Sequence, residues 1–153
     1  MSNRPQAVLF DFDGTLVHIT IDFEAMRENV VSVVTAYGET ADSGRWTLEI
    51  AEAVRDRLAA KDPALAERFH RYALASIEAV ELEAAGRAEP LPTVAATLEW
   101  LRGQGIAIGI VTRNCRAAVC NVLERSGLPV DAVFTRDDVS HVKPHPAHLL
   151  TAL

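Results

Sequence analysis

The sequence predicts an α/β protein: a doubly wound parallel sheet with a block of consecutive helices inserted after the first strand. Three observations lead there. Residues 7–11, AVLFD, form a short apolar run closing on an acid, the pattern of a parallel strand covered on both faces with polar groups at its C-terminal end. From about residue 18 to 88 the periodicity is helical, with no strand between the helices. Beyond that block, β-branched runs alternate with helices, which implies right-handed crossovers in one parallel sheet. Such sheets gather their reactive groups at the C-terminal ends of the strands, so the polar residues that close each run are the candidates for function.

Each element has its own signals. Phe23, Met26, Val30, Val33, Val34 and Tyr37 recur on one helical face, with Asp22 placed to cap the start and Gly38 to end it. A second helix is expected over about 43–60, with Trp46, Ile50, Val54 and Leu58 at spacing four. Asp62–Pro63, a cap followed by a first-turn proline, opens a third that carries Leu65, Phe69, Tyr72, Ile77 and Val80 towards Gly86. Pro90 and Pro92 punctuate the chain before a helix over 93–102. Ile106–Thr112 reads as the second strand, with Asn114 placed to cap a helix that runs to Arg125 and stops at Gly127. Residues 131–134 form a short third strand, followed by the loop TRDDVSHVKPHP and helical turns over 147–153.

Composition excludes several classes. The chain has 153 residues, 49% of them hydrophobic and 24% charged, which fits one packed α/β domain with an inserted subdomain rather than a disordered or low-complexity chain. The net charge of −6 and the lack of any basic run argue against a nucleic-acid partner. No stretch approaches the roughly 18 apolar residues of a membrane span, and the N-terminus lacks a signal-peptide core, so a cytoplasmic protein is expected. Cys115 and Cys120 lie five apart on an expected helix, about 140° around it, and are not placed to bridge.

The first strand is followed by Asp11-Phe12-Asp13-Gly14-Thr15. Two carboxylates two residues apart at a strand exit suit one group that attacks and one that moves protons, and a carboxylate pair beside Mg²⁺ suits phosphoryl transfer. The same tripeptide also suits a plain Asp-Gly turn whose acids cap it. Thr112 and Lys143 taken singly read as a strand-end hydroxyl and a solvated loop lysine. Asn114 reads as a helix cap. His141, His145 and His148 read as surface histidines, because the intervening prolines leave no helical register for a metal site. Asp137 and Asp138 read as turn acids.

Taken together, FDFDGTL, IGIVTRN and VKPHP resemble the three successive motifs of the haloacid dehalogenase-like (HAD) hydrolase superfamily, in its helical-cap, phosphoglycolate-phosphatase-like group. The resemblance runs from Ala7 to the end of the chain. It implies a Rossmann-like core from residues 1–17 and 89–153 with a helical cap at 18–88. It implies a Mg²⁺-dependent phosphatase acting on a small phosphorylated metabolite. Asp11 would be the nucleophile, forming an aspartyl-phosphate, and a Mg²⁺ ligand. Asp13 would be the acid and base, with its backbone carbonyl on the metal, and its presence argues against dehalogenation. Thr112 would bind the transferred phosphoryl oxygens and Lys143 would neutralise charge on phosphate and nucleophile. Thr15, Arg113 and Asn114 are further candidate substrate contacts.

The superfamily's fourth, acidic motif has no counterpart before Leu153, so the core is expected to be incomplete at its C-terminal side and the first strand to present an unpaired edge. Three explanations compete: a longer phosphatase, a missing strand supplied by a homodimer or partner chain, and a catalytically impaired phosphate-binding or regulatory module.

Overall fold

A computed structural model describes residues 4–153. The elements follow in the order β1 (Ala7–Phe10), α1 (Phe23–Ala36), α2 (Thr47–Ala59), α3 (Pro63–Ala85), α4 (Val94–Gly103), β2 (Ala107–Val111), α5 (Arg116–Ser126), β3 (Ala132–Phe134) and α6 (Pro146–Leu150), with a 3-10 turn at Arg136–Asp138. The fold class is the expected one, a parallel sheet interleaved with helices. The chain divides into two compact units, one made of the described residues up to Thr20 with Ala84–Leu153, the other of Ile21–Glu83.

The first unit is built on the sheet, ordered β1-β2-β3 and parallel throughout. In β2, Ile108 to Val111 are all buried, as a central strand covered on both faces requires. Glycine in its middle has a steric reason: Leu9 stands opposite Gly109, and a Cβ there would lie 2.6 Å from Leu9 Cδ2. Val94, Leu98 and Leu101 of α4, Val119 and Val122 of α5, and Phe12 and Leu16 from the turn after β1 fill the core around Ile108 and Ile110. At about 1.5–3 kcal/mol for each large side chain removed from water, this cluster outweighs any surface ion pair on the molecule.

Two sets of contacts within this unit fasten the chain segments that flank residues 21–83. Val17 pairs with Pro90, and the Leu91 and His18 N–H groups donate to Leu16 and Glu89 carbonyls at 2.9 Å each. Where α3 ends, the carbonyls of Ala85, Gly86 and Ala88 accept from the Arg125 guanidinium. A cation there also complements the negative end of the helix dipole.

The second unit packs the apolar stripes of its helices: Met26, Val30 and Val34 of α1, Ile50, Val54 and Leu58 of α2, Phe69 and Ile77 of α3. Tyr37 meets Phe69 edge-on at 5.4 Å. The expected caps are present, with Asp22 Oδ1 accepting the Ala25 N–H and Asp62 Oδ1 those of Ala64 and Leu65. The aromatic stripe needs correction. Phe23, Trp46 and Tyr72, expected on buried faces, are 52%, 67% and 57% exposed. Helix α2 starts four residues later than expected, because Asp42 accepts from the Gly44 N–H and the Arg45 guanidinium and folds residues 42–45 into a turn.

Candidate active site

Strand register brings the candidate residues to one edge of the sheet. Phe10 pairs with Ile110 and Val111 with Phe134, so Asp11, Thr112 and Thr135 each follow the last residues of neighbouring parallel strands. Asp11 therefore lies one position past the strand that the sequence was expected to extend through it. Its Oδ1 accepts the Phe12 N–H at 2.8 Å and lies 2.9 Å from Lys143 Nζ. The chain turns sharply behind it. Gly14 adopts φ +77°, and its N–H bonds to the Val17 carbonyl at 2.8 Å. Only glycine takes that conformation without strain, and a Cβ would sit 2.9 Å from Ile19 Cδ1.

Asp13 is half-buried and faces Asn114, whose Nδ2 donates to its Oδ2 at 3.1 Å and more weakly to Oδ1 at 3.4 Å. The orientation of the Asn114 amide follows from its other contact. Oδ1 accepts the Cys115 N–H at 2.8 Å, which turns the donating nitrogen to the carboxylate. Asn114 is thus not the helix cap expected from sequence: Cys115 occupies that position. The Arg116 N–H is satisfied by Asp137 Oδ2 at 2.8 Å, reaching across from the loop after β3. An acid at this end also suits the positive end of the helix dipole.

Thr112 is buried. Its N–H donates to the Phe134 carbonyl, and its hydroxyl oxygen accepts the Asn114 N–H at 3.1 Å. Arg113 is half-buried and its carbonyl accepts from the guanidinium of Arg136 at 3.0 Å. Arg136 itself is buried, and its N–H donates to the Asn114 carbonyl. Sequence reasoning passed over it, since arginines are rarely buried and nothing in TRDD marks this one. Thr15 is exposed.

The loop that brings Lys143 to Asp11 is fastened at two points. Asp138 accepts the Thr135 N–H and hydroxyl at 2.7 Å each and pairs with Arg116, which agrees with its reading as a turn acid. The second fastening corrects the reading of the histidines. His141 and His145 are exposed and stacked at 4.7 Å, but His148 is wholly buried. Its Nδ1 accepts the Lys143 N–H at 3.2 Å, and its Nε2 lies 3.3 Å from the Phe134 carbonyl. Cys115 and Cys120 are free thiols, as expected.

A parallel sheet presenting an Asp-x-Asp-Gly turn, a strand-end threonine and a lysine held on the first acid defines a recognisable class of α/β protein. A profile of the haloacid dehalogenase-like hydrolases matches residues 5–153, and the chain belongs to that family. Pyrophosphatase PpaX of Bacillus thuringiensis (strain Al Hakam) is 33% identical over 158 residues, spanning 95% of this chain and 66% of the relative. Among solved structures, a HAD phosphatase from Thermococcus onnurineus has 26% identity and a TM-score of 0.53, covering 95% of this chain and 69% of its own. A predicted phosphoglycolate phosphatase from Haemophilus somnus 129PT shares the fold at 19% identity, with a TM-score of 0.56 over 99% of this chain and 71% of its own. The chain therefore spans 66% of the length of the Bacillus thuringiensis pyrophosphatase. Among the described residues, no helix is long and apolar enough to cross a membrane.

Proposed function

We propose that this chain carries the nucleophile, acid-base pair and phosphate-binding groups of a Mg²⁺-dependent phosphatase that acts on a small phosphorylated metabolite through an aspartyl-phosphate. The observation that carries the reading is the contact between Asp11 and Lys143: two groups 132 positions apart meet at 2.9 Å, at the C-terminal end of a parallel strand. The phosphatase relatives support the class of reaction, and the name of the PpaX relatives adds pyrophosphate to the substrates worth testing.

In the reaction proposed, an Asp11 carboxylate oxygen attacks phosphorus as the bond to the leaving oxygen breaks, and Asp13, entering as the acid, gives that oxygen its proton. Asp13, now a carboxylate, takes a proton from water as the water oxygen attacks phosphorus, freeing phosphate and Asp11. Lys143 opposes the negative charge gathered on Asp11 and the phosphoryl group. The Thr112 hydroxyl and the N–H groups of the turn that follows it donate to phosphoryl oxygens. Asn114 holds the Asp13 carboxylate in place for both proton transfers. Thr15, in the turn after β1, and Arg113, in the turn after Thr112, are further candidate substrate contacts.

The donor set suits Mg²⁺. It is all oxygen, and Mg²⁺ is commonly held by one or two protein groups with waters and substrate phosphate completing the shell. Because the Asp13 side chain is turned to Asn114, the protein ligands would be the Asp11 carboxylate and the Asp13 backbone carbonyl. Bound there, the metal would supply charge to the phosphoryl oxygens.

Hydrolysis of p-nitrophenyl phosphate, phosphoglycolate and pyrophosphate with and without Mg²⁺ tests the reading, with Asp11→Asn as the control. Turnover that needs both the metal and Asp11 is expected. Full turnover in Asp11→Asn, or none in the wild type, would overturn it.

A further inference from the structure

We propose that His148 is a positioning residue: as a neutral imidazole with its proton on Nε2, it clamps the Lys143 segment to the end of β3 and so sets Lys143 against Asp11. For the role of Lys143 the proposal rests on the phosphatase reading above; for the clamp it rests on geometry.

The two partners of the ring are backbone groups whose hydrogen-bonding roles are fixed. The Lys143 N–H can only donate, so Nδ1, 3.2 Å away, must offer its lone pair. The Phe134 carbonyl can only accept, so Nε2, 3.3 Å away, must carry the hydrogen. One tautomer satisfies both contacts, and the ring is wholly buried, with no solvent to replace either bond. Phe134 is itself fixed by its pairing with Val111 in β2. The ring therefore transmits the position of the sheet to the residue whose Nζ reaches Asp11.

The clamp has one acid-sensitive element. A second proton on the ring would sit on Nδ1 and face the Lys143 N–H, donor against donor, which breaks the link. Burial, the largest influence, holds the ring below its ordinary pKa of 6.5. Of the charged groups that act on it, Lys143 from the loop disfavours the cation, and Asp138 from the turn after β3 favours it, as do the backbone carbonyl of Phe134 and the backbone of Thr135. On its own short helix, His145 accepts the Ala147 N–H as the cap. The imidazole is thus neutral at neutral pH, and the clamp holds where the chain would work.

The test joins a ¹⁵N imidazole titration of the whole chain to pH profiles of p-nitrophenyl phosphate hydrolysis for wild type, His148→Asn and His148→Gln. An Asn carboxamide oxygen falls near Nδ1 and keeps a non-titrating acceptor for Lys143. A Gln amide falls near Nε2 and keeps only the bond to Phe134. The expected spectrum is that of the Nε2–H tautomer, titrating below 6.5, with the Lys143 amide proton moving at the same midpoint. In kcat, the wild type is expected to show an acid limb at that midpoint and the Asn variant to lack it. At neutral pH, the Asn variant should keep kcat within about threefold of wild type, while Gln loses about tenfold or more with KM nearly unchanged.

An Nδ1–H tautomer, a ring that stays cationic at neutral pH, or equal losses in both variants with the acid limb intact would overturn the proposal. If neither variant folds, the wild-type spectrum and the Lys143 amide shift decide it. A wild-type chain with the expected spectrum but no hydrolysis would leave the clamp standing and count against the phosphatase reading instead.

Discussion

Replacing Asp138 with Asn removes one anchor of the loop that carries Lys143, and the structure sets the size of the effect. Burial alone would raise the pKa of this carboxyl. The Arg116 guanidinium and the Thr135 N–H and hydroxyl outweigh it and hold the group at about 2 against an ordinary 3.8. At about 1.4 kcal/mol per unit, that difference amounts to roughly 2.5 kcal/mol in favour of the charged form. The side chain is 27% exposed, and screening by solvent reduces the contribution to about 1–2 kcal/mol. Because the folded value lies below the unfolded one, the stabilisation is complete above 3.8 and is lost as the pH falls towards 2. Asp138→Asn should therefore be less stable by about 1–2 kcal/mol at neutral pH, a drop of roughly 3–6 °C in Tm for a chain of this length. Urea unfolding of both proteins, repeated at pH values descending into that window, measures it. The gap should narrow as the wild-type carboxyl protonates. A gap that stays constant with pH, or none at neutral pH, would refute the assignment of the shift to this anchor.

Other perturbations reach the site more directly. Lys143→Met should keep the fold, because its Nζ contact is made at the rim of the site, and lower kcat by about a hundredfold or more through lost charge stabilisation; steady-state kinetics with p-nitrophenyl phosphate checks this. Asn114→Ala should lower kcat by about tenfold by freeing Asp13, and Asn114→Asp should lower it further, since a second carboxylate about 3 Å from Asp13 opposes its ionisation; activity near wild type in Asn114→Asp would contradict the pairing. Gly14→Ala should destabilise the chain by about 1–2 kcal/mol, the cost of placing a Cβ at positive φ, as read from denaturant midpoints at constant m-value.

The parts legible in the sequence are those set by local periodicity and caps. IGIV is an unbroken apolar run because its central strand is buried, AVLF is one although its outer strand is only partly buried, and Asp22 and Asp62 cap the helices they precede. Asp11, Thr112 and Lys143 were identifiable because their neighbours match three spaced motifs, and the strand register explains why Asp11 and Thr112 share an edge. What was missed depends on contacts between distant segments. Asn114 has the composition of a cap, but its amide is drawn to Asp13, 101 positions away, and Asp137 satisfies the Arg116 N–H from 21 positions downstream. His148 sits beside Pro144 and Pro146, where no period reveals a buried face, and both its partners are backbone groups that leave no mark in the sequence. The stripe of Phe23, Trp46 and Tyr72 misled because an aromatic at helical spacing need not lie at the centre of the buried arc.

On the proposed mechanism, Asp11 becomes phosphorylated during turnover. The direct measurement is to quench the chain with acid during hydrolysis of p-nitrophenyl phosphate in Mg²⁺, reduce it with borohydride, and sequence the N-terminal peptide by mass spectrometry. An acyl phosphate on Asp11 is reduced to the alcohol, so homoserine should appear at position 11 and depend on both substrate and metal. Hydrolysis that proceeds with Asp11 unreduced, or with the label on another carboxylate, would contradict the account.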